Sequence, residues 1–122
     1  MPGPRFIDHK GTRIVFLDFA GVKDPAVGLA LVAESGRFVQ ALPRDKSGLS
    51  CTDVSDTRYT REVLEAFKVM TKGNAPYIRA AAVVSDSPMH RAAISMISLF
   101  SGRKLQTFDS RTQALDWLVL QP

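Results

Sequence analysis

The sequence predicts an α/β fold: a β-hairpin over residues 5–20 leads into strand–helix units that continue to the end of the chain. Three observations predict it. Lys10-Gly11 joins two extended segments, helix-start signals recur at Asp24-Pro25, Thr60, Ser87-Pro88 and Ser110, and the second strand is apolar on both faces. Together they ask for a five-stranded mixed sheet flanked by helices, within one domain spanning 1–122.

The hairpin pairs Arg5–His9 with Thr12–Ala20, and glycine at the second loop position suits the tight turn that hairpins favour. After Arg13 the second strand reads Ile-Val-Phe-Leu-Asp-Phe, so helices must cover both of its faces. Asp24 then caps a helix with Pro25 at its first position. That helix runs toward Leu42 and stops before Pro43, with Gly28 and Gly36 weakening it and a break expected near Gly36. A short strand covers 48–54. Thr60 caps a second helix over 62–72 that presents Val63, Phe67 and Met70 on one face. Gly73-Asn74 ends it, and the next strand covers 77–85, where Ala80, Ala81 and Ala82 leave room for a close neighbour. Ser87-Pro88 opens a third helix that Gly102 ends. The last strand covers 104–108, and Ser110-Arg111-Thr112-Gln113 is a capping box for the final helix through Trp117 and Leu120.

Composition excludes several classes. The chain has 122 residues, 45% of them hydrophobic and 23% charged, which is ordinary for a globular domain with its own core. Its one cysteine, Cys51, cannot form an intrachain disulfide and fits a reducing compartment. Met1-Pro2-Gly3-Pro4 is no basic leader, and no apolar run approaches the ~20 residues a membrane-spanning helix needs, so the expected location is cytoplasmic. A net charge of +4 attracts anions. Its basic residues are scattered and carry no interleaved aromatics, which argues against nucleic acid as a partner.

Four passages carry a resemblance. They are 7–11 followed by Val15-Phe16-Leu17-Asp18-Phe19-Ala20-Gly21, then Cys51-Thr52-Asp53-Val54-Ser55, Pro76-Tyr77-Ile78-Arg79 with the alanines after it, and the closing 108–118. Over nearly the whole chain they resemble the STAS fold of anti-anti-sigma factors. The likeness is nearer to the bacterial SpoIIAA-like branch, which is itself similar to the lipid-binding CRAL-TRIO domain. The resemblance implies a regulatory or ligand-binding domain without catalysis. In phosphoregulated anti-anti-sigma factors a serine at a helix start takes phosphate. The corresponding stretch here, 56–63, lacks the Ser-Ser-Gly pattern and offers Thr60 as the one hydroxyl at the helix start.

Thr60 is thus the candidate phosphoacceptor, since a helix N-terminus and nearby Arg58 and Arg61 favour added negative charge. The plainer role for Thr60 is an N-cap. Asp53 ends a strand as a receiver-domain aspartate would, but no acidic pair or terminal-strand lysine accompanies it. Asp86, Ser87 and His90 share one turn, whereas a catalytic set converges from separate elements. No phosphate loop, dinucleotide fingerprint or zinc spacing occurs, so neither cofactor nor metal is expected.

Two surfaces remain. Ser55, Thr57, Arg58, Ser85, Asp86 and Arg111 are expected at the carboxyl-terminal rim of the sheet, where open α/β sheets bind ligands. The third helix is apolar almost all round, and Met89, Ala93, Met96, Ile97 and Phe100 are its candidate interface or apolar-ligand surface. Its plainer fate is burial against the terminal helix with Trp117. The leading expectation is a non-catalytic regulatory or protein-interaction module whose partner is another protein or a second copy. The alternative is a domain binding a lipid or small apolar ligand, with contact to a membrane surface.

Overall fold

The computed structural model describes residues 2–58, 60–103 and 105–122, with the side chain of Phe100 also outside the description. Strands β1 (Gly3–His9) and β2 (Thr12–Asp18) form the hairpin, and Lys10 and Gly11 both take positive φ, as its two-residue turn requires. The register runs from Gly3 opposite Asp18 to His9 opposite Thr12. Three further strands, β3 (Gly48–Asp53), β4 (Ile78–Val84) and β5 (Leu105–Phe108), extend the sheet in parallel, in the spatial order β1-β2-β3-β4-β5. Lys104, expected to open the last strand, lies outside the described residues.

Helices α1 (Pro25–Gln40), α2 (Arg61–Gly73), α3 (Pro88–Ser101) and α4 (Arg111–Val119) begin where their caps place them. Asp24, Thr60, Ser87 and Ser110 each accept a backbone N–H of the first turn. Gly102 closes α3 in the left-handed region at φ 69°. The break expected at Gly36 does not occur. Both glycines of α1 are buried facing α2, where a Cβ at Gly28 would lie 3.4 Å from Val63 and one at Gly36 3.7 Å from Met70. Packing of the two helices outweighs the weak helical preference of glycine here.

The strand order decides which helix covers which face. β2 through β5 succeed one another in a single direction, and right-handed crossovers then send every connecting helix to the same side. α1, α2 and α3 accordingly cover the face that carries Val15, Leu17, Ala81 and Val83. α4 follows the last strand, makes no crossover, and covers the opposite face with Ala114 and Leu118 over Ile14, Phe16, Cys51 and Ala82. Trp117 packs there on Phe108. The expectation that α3 is buried against the terminal helix is therefore corrected. The sheet lies between them, and the neighbour of α3 is α2.

Candidate functional site

At the carboxyl ends of β2 and β3 the sheet carries two buried aspartates, Asp18 and Asp53, in adjacent register. Alternation along each strand puts both on the α4 face. Arg111, the first residue of α4, donates through Nε to Asp53 at 2.5 Å and through Nη2 to Asp18 at 3.4 Å. Arg5, from the hairpin edge, donates to the other oxygen of Asp18 at 3.2 Å. Both guanidinium groups sit over the ring of Phe16, at 4.7 and 4.8 Å from its centroid. The Asp18 oxygen facing Arg111 also accepts the Ala20 N–H, and the second Asp53 oxygen accepts the Ser55 N–H. The cluster thus joins two cations to two anions across the hairpin, two strands and α4. Burial against an apolar sheet and the neighbouring Asp53 push the Cys51 thiol up to about 12, so it is protonated and inert at neutral pH.

The six rim residues all lie at this end of the sheet. Thr57 is buried and its hydroxyl donates to the Phe19 carbonyl at 2.8 Å. Ser85 is buried and its hydroxyl donates to the Ser87 carbonyl at 3.3 Å. Asp86 accepts the backbone N–H of Asp56, and Arg111 is held by the two aspartates. The hydroxyls of Thr57 and Ser85 are thus taken up by loop carbonyls, whereas Asp86 and Arg58 are exposed and Ser55 is half-buried. Thr60 caps α2, its hydroxyl accepting from Val63 N–H at 3.2 Å.

The third helix has two very different faces. Ile94 and Ile97 enter the core, with Ile97 only 6% exposed, which removes it from any surface. Ala93 is half-buried, and the Phe100 side chain lies outside the described residues. Met89, Met96 and Leu99 stand in solvent at 80%, 60% and 84% exposure. Leu99 was legible as apolar, but only the packing of α3 in the fold shows that it points outward.

Beneath α3, between α2 and the sheet, lies a cavity of about 40 Å³ that the sequence did not signal. Its apolar wall includes Phe67, Ile94 and Ile97, and its polar end includes Thr71, Asn74 and Arg103. Asn74 caps α2 with its main chain and is 4% exposed, yet its side-chain Oδ1 accepts no hydrogen bond among the described residues. A buried acceptor left so costs about 1–3 kcal/mol. Arg103 donates to the Thr71 carbonyl at 3.0 Å. Desolvation holds its pKa below the usual value. Among the described residues Arg5, Arg91 and Arg111 pair with aspartates, whereas no carboxylate lies within ion-pair distance of Arg103.

No group of three or more histidine, cysteine or acidic residues could hold a metal among the described residues. No helix among them is long and apolar enough to cross a membrane. In comparisons with known proteins, no family model and no curated protein sequence matches the chain. One solved structure matches it along 95% of its length. That structure is an uncharacterised protein of the DUF3478 family from Shewanella loihica PV-4, described as having a SpoIIAA-like fold. The TM-score is 0.70, the match covers 92% of that chain, and sequence identity is 11%.

The fold is SpoIIAA-like.

The SpoIIAA-like architecture accounts for the hairpin at one sheet edge and the three crossover helices on one face. At 11% identity the likeness fixes the SpoIIAA-like fold and says nothing of activity.

Proposed function

We propose that this domain is a non-catalytic, cytoplasmic interaction module of the regulatory STAS type, and that it meets its partner through the outward face of α3. The observation that carries this reading is the trio Met89, Met96 and Leu99, exposed on one helix whose other face is fully used by the core. An apolar patch of this kind marks a contact surface more often than a free one, and methionine adapts to varied partners. The pairing of Arg111 with Asp18 and Asp53 and the protonated Cys51 are consistent with a domain that binds rather than reacts. Native mass spectrometry of gently purified protein tests it. A dimer or a bound protein in the wild type, lost in a Met96→Asp/Leu99→Asp variant that remains folded, is the expected result. A monomer with no companion, unchanged by the variant, overturns it.

A second reading, a binder of small apolar or lipid ligands, is favoured by the cavity roofed by α3. At about 40 Å³ it is much smaller than the ~150 Å³ that accepts a benzene ring, and an acyl chain would require α3 to move. Organic extraction of the same sample checks it: a stoichiometric acyl species would put this reading first.

A further inference from the structure

We infer that the end of the domain formed by the amino termini of the parallel strands docks on an anionic lipid surface. Such docking is independent of the contact face on α3. Basic residues that are scattered along the sequence gather in the fold. β2 to β5 run in one direction, so their amino ends and the hairpin tip share one end of the sheet. Lys10 and Arg13 stand there on the hairpin, with Arg37, Arg44 and Lys46 at the close of α1 and in the loop after it. Lys72 lies in the last turn of α2, Arg79 at the start of β4, and Arg103 just before β5. Three carboxylates, Asp8, Asp45 and Asp116, share this end, and among the described residues eight cations against three anions leave it at +5. The whole chain carries +4, so the rest of the molecule is slightly acidic.

Contacts between the tips hold these charges on one surface. The Lys46 N–H donates to the Pro76 carbonyl at 3.1 Å, Arg103 donates to the Thr71 carbonyl at 3.0 Å, and Lys10 meets Asp116 at 3.0 Å. Helix carboxyl ends attract cations, but only Arg37 and Lys72 lie in a last turn, so the dipoles account for two of the eight. Apolar side chains stand among the charges. Leu120, just past α4, is 78% exposed, and Pro43 is exposed in the loop that carries Arg44 and Lys46. Cations interspersed with apolar tips suit a bilayer interface, where anionic headgroups meet acyl chains. Nucleic acid fits less well, because single strands stack on open aromatic faces. Here the Arg13 guanidinium lies 3.5 Å over the Phe6 ring, and Tyr77 is half-buried.

Co-sedimentation of the full chain with vesicles tests the assignment, comparing phosphatidylcholine containing phosphatidylserine with phosphatidylcholine alone. Saturable binding is expected to the first only, half-complete on the order of a millimolar of accessible lipid or below. Raising salt from about 0.1 M to about 1 M shortens the screening length from ~10 Å to ~3 Å and should weaken binding about tenfold or more. Arg44→Glu/Lys46→Glu removes four of the five net charges and should likewise weaken it about tenfold or more. Both side chains are exposed in a loop. Should circular dichroism show that variant unfolded, Arg44→Gln/Lys46→Gln carries the same prediction at about half the charge change. Lys23→Glu/Arg61→Glu imposes an equal change of net charge at the opposite end of the sheet and should bind within about twofold of the wild type. Four results would each overturn the proposal: no binding to phosphatidylserine vesicles, equal binding to neutral ones, equal losses in the two charge-reversed variants, or displacement from the vesicles by a single-stranded oligonucleotide that binds more tightly.

Discussion

Asp18 and Asp53 stand side by side at the carboxyl ends of two neighbouring parallel strands, and one guanidinium, Arg111, bonds to both. Two carboxylates so placed would repel each other and raise the cost of their burial. The arginine that reconciles them comes from the far end of the chain and begins the one helix on that face. The carboxylates therefore serve as anchors for α4, tying it to the strands whose apolar residues it covers.

Removing this arginine should cost more than removing the other one. In Arg111→Ala, Asp53 is left buried without a cation. Breaking a buried pair costs ~3–5 kcal/mol, and the half-exposed position of Arg111 lowers the expectation to about 2 kcal/mol. Arg5→Ala should cost under ~1 kcal/mol, because Asp18 keeps Arg111. Urea denaturation of the two variants measures the difference, and equal losses would contradict the anchoring role.

The two faces of α3 should respond oppositely to truncation. Ile97→Ala empties a core position and should cost ~2–5 kcal/mol. Leu99→Ala alters an exposed side chain and should stay within ~0.5 kcal/mol of the wild type. Thermal melts followed by circular dichroism will separate them, and a large loss at Leu99 would place that side chain in the fold's core.

Glycine replacements test the helix contact between α1 and α2. Gly36→Ala adds a methyl at ordinary contact distance from Met70 and removes the helical penalty of glycine, so a gain of ~0.5–1 kcal/mol is expected. Gly48→Ala would set a Cβ 2.7 Å from the Tyr77 carbonyl oxygen and should destabilise by ~1–3 kcal/mol. Calorimetric melting temperatures that rise for the first and fall for the second are the expected pattern.

The hairpin tip is also pH-linked to α4. His9 at 2.7 Å and Lys10 at 3.0 Å hold the Asp116 carboxyl below the usual carboxylate range. A depressed folded-state value means that the contribution is present above the ordinary carboxylate pKa, about 4, and is lost as pH falls through the folded value. A carbon-detected NMR titration of Asp116 in His9→Ala should show its midpoint moving up. An unmoved midpoint would mean that the His9 contact contributes nothing in solution.

Much of this architecture was readable because its causes are local. Asp24, Thr60, Ser87 and Ser110 cap helices through bonds to residues two or three positions away, and Lys10-Gly11 needs only its own dihedral preferences. The misreadings share a different cause. Gly36 was expected to interrupt α1, yet it serves a contact with a helix that begins only at residue 61. The burial of α3 against α4 failed because the side of the sheet a helix occupies depends on strand order, which no short window contains. The same holds for the candidate sites. Asp18, Asp53 and Arg111 meet only through sheet register, and Asn74 and Arg103 share a cavity across separate elements. Thr57 and Ser85 read as ligand-facing because a hydroxyl in a loop looks alike whether it turns outward or bonds a nearby carbonyl.

Having α4 alone on its face also governs the order in which the chain can finish folding. Everything through β5 can assemble the sheet and the three-helix side as it emerges from a ribosome, since each crossover packs beside the one before it. Throughout that time Ile14, Phe16, Cys51 and Ala82 face water, because their cover is residues 111–118. A nascent chain arrested before Arg111 would present a bare apolar sheet, with Asp53 lacking its cation and Asp18 held by Arg5 alone. Completion of this fold is therefore a late, single event, and the interval before it is when the chain most needs protection from its neighbours.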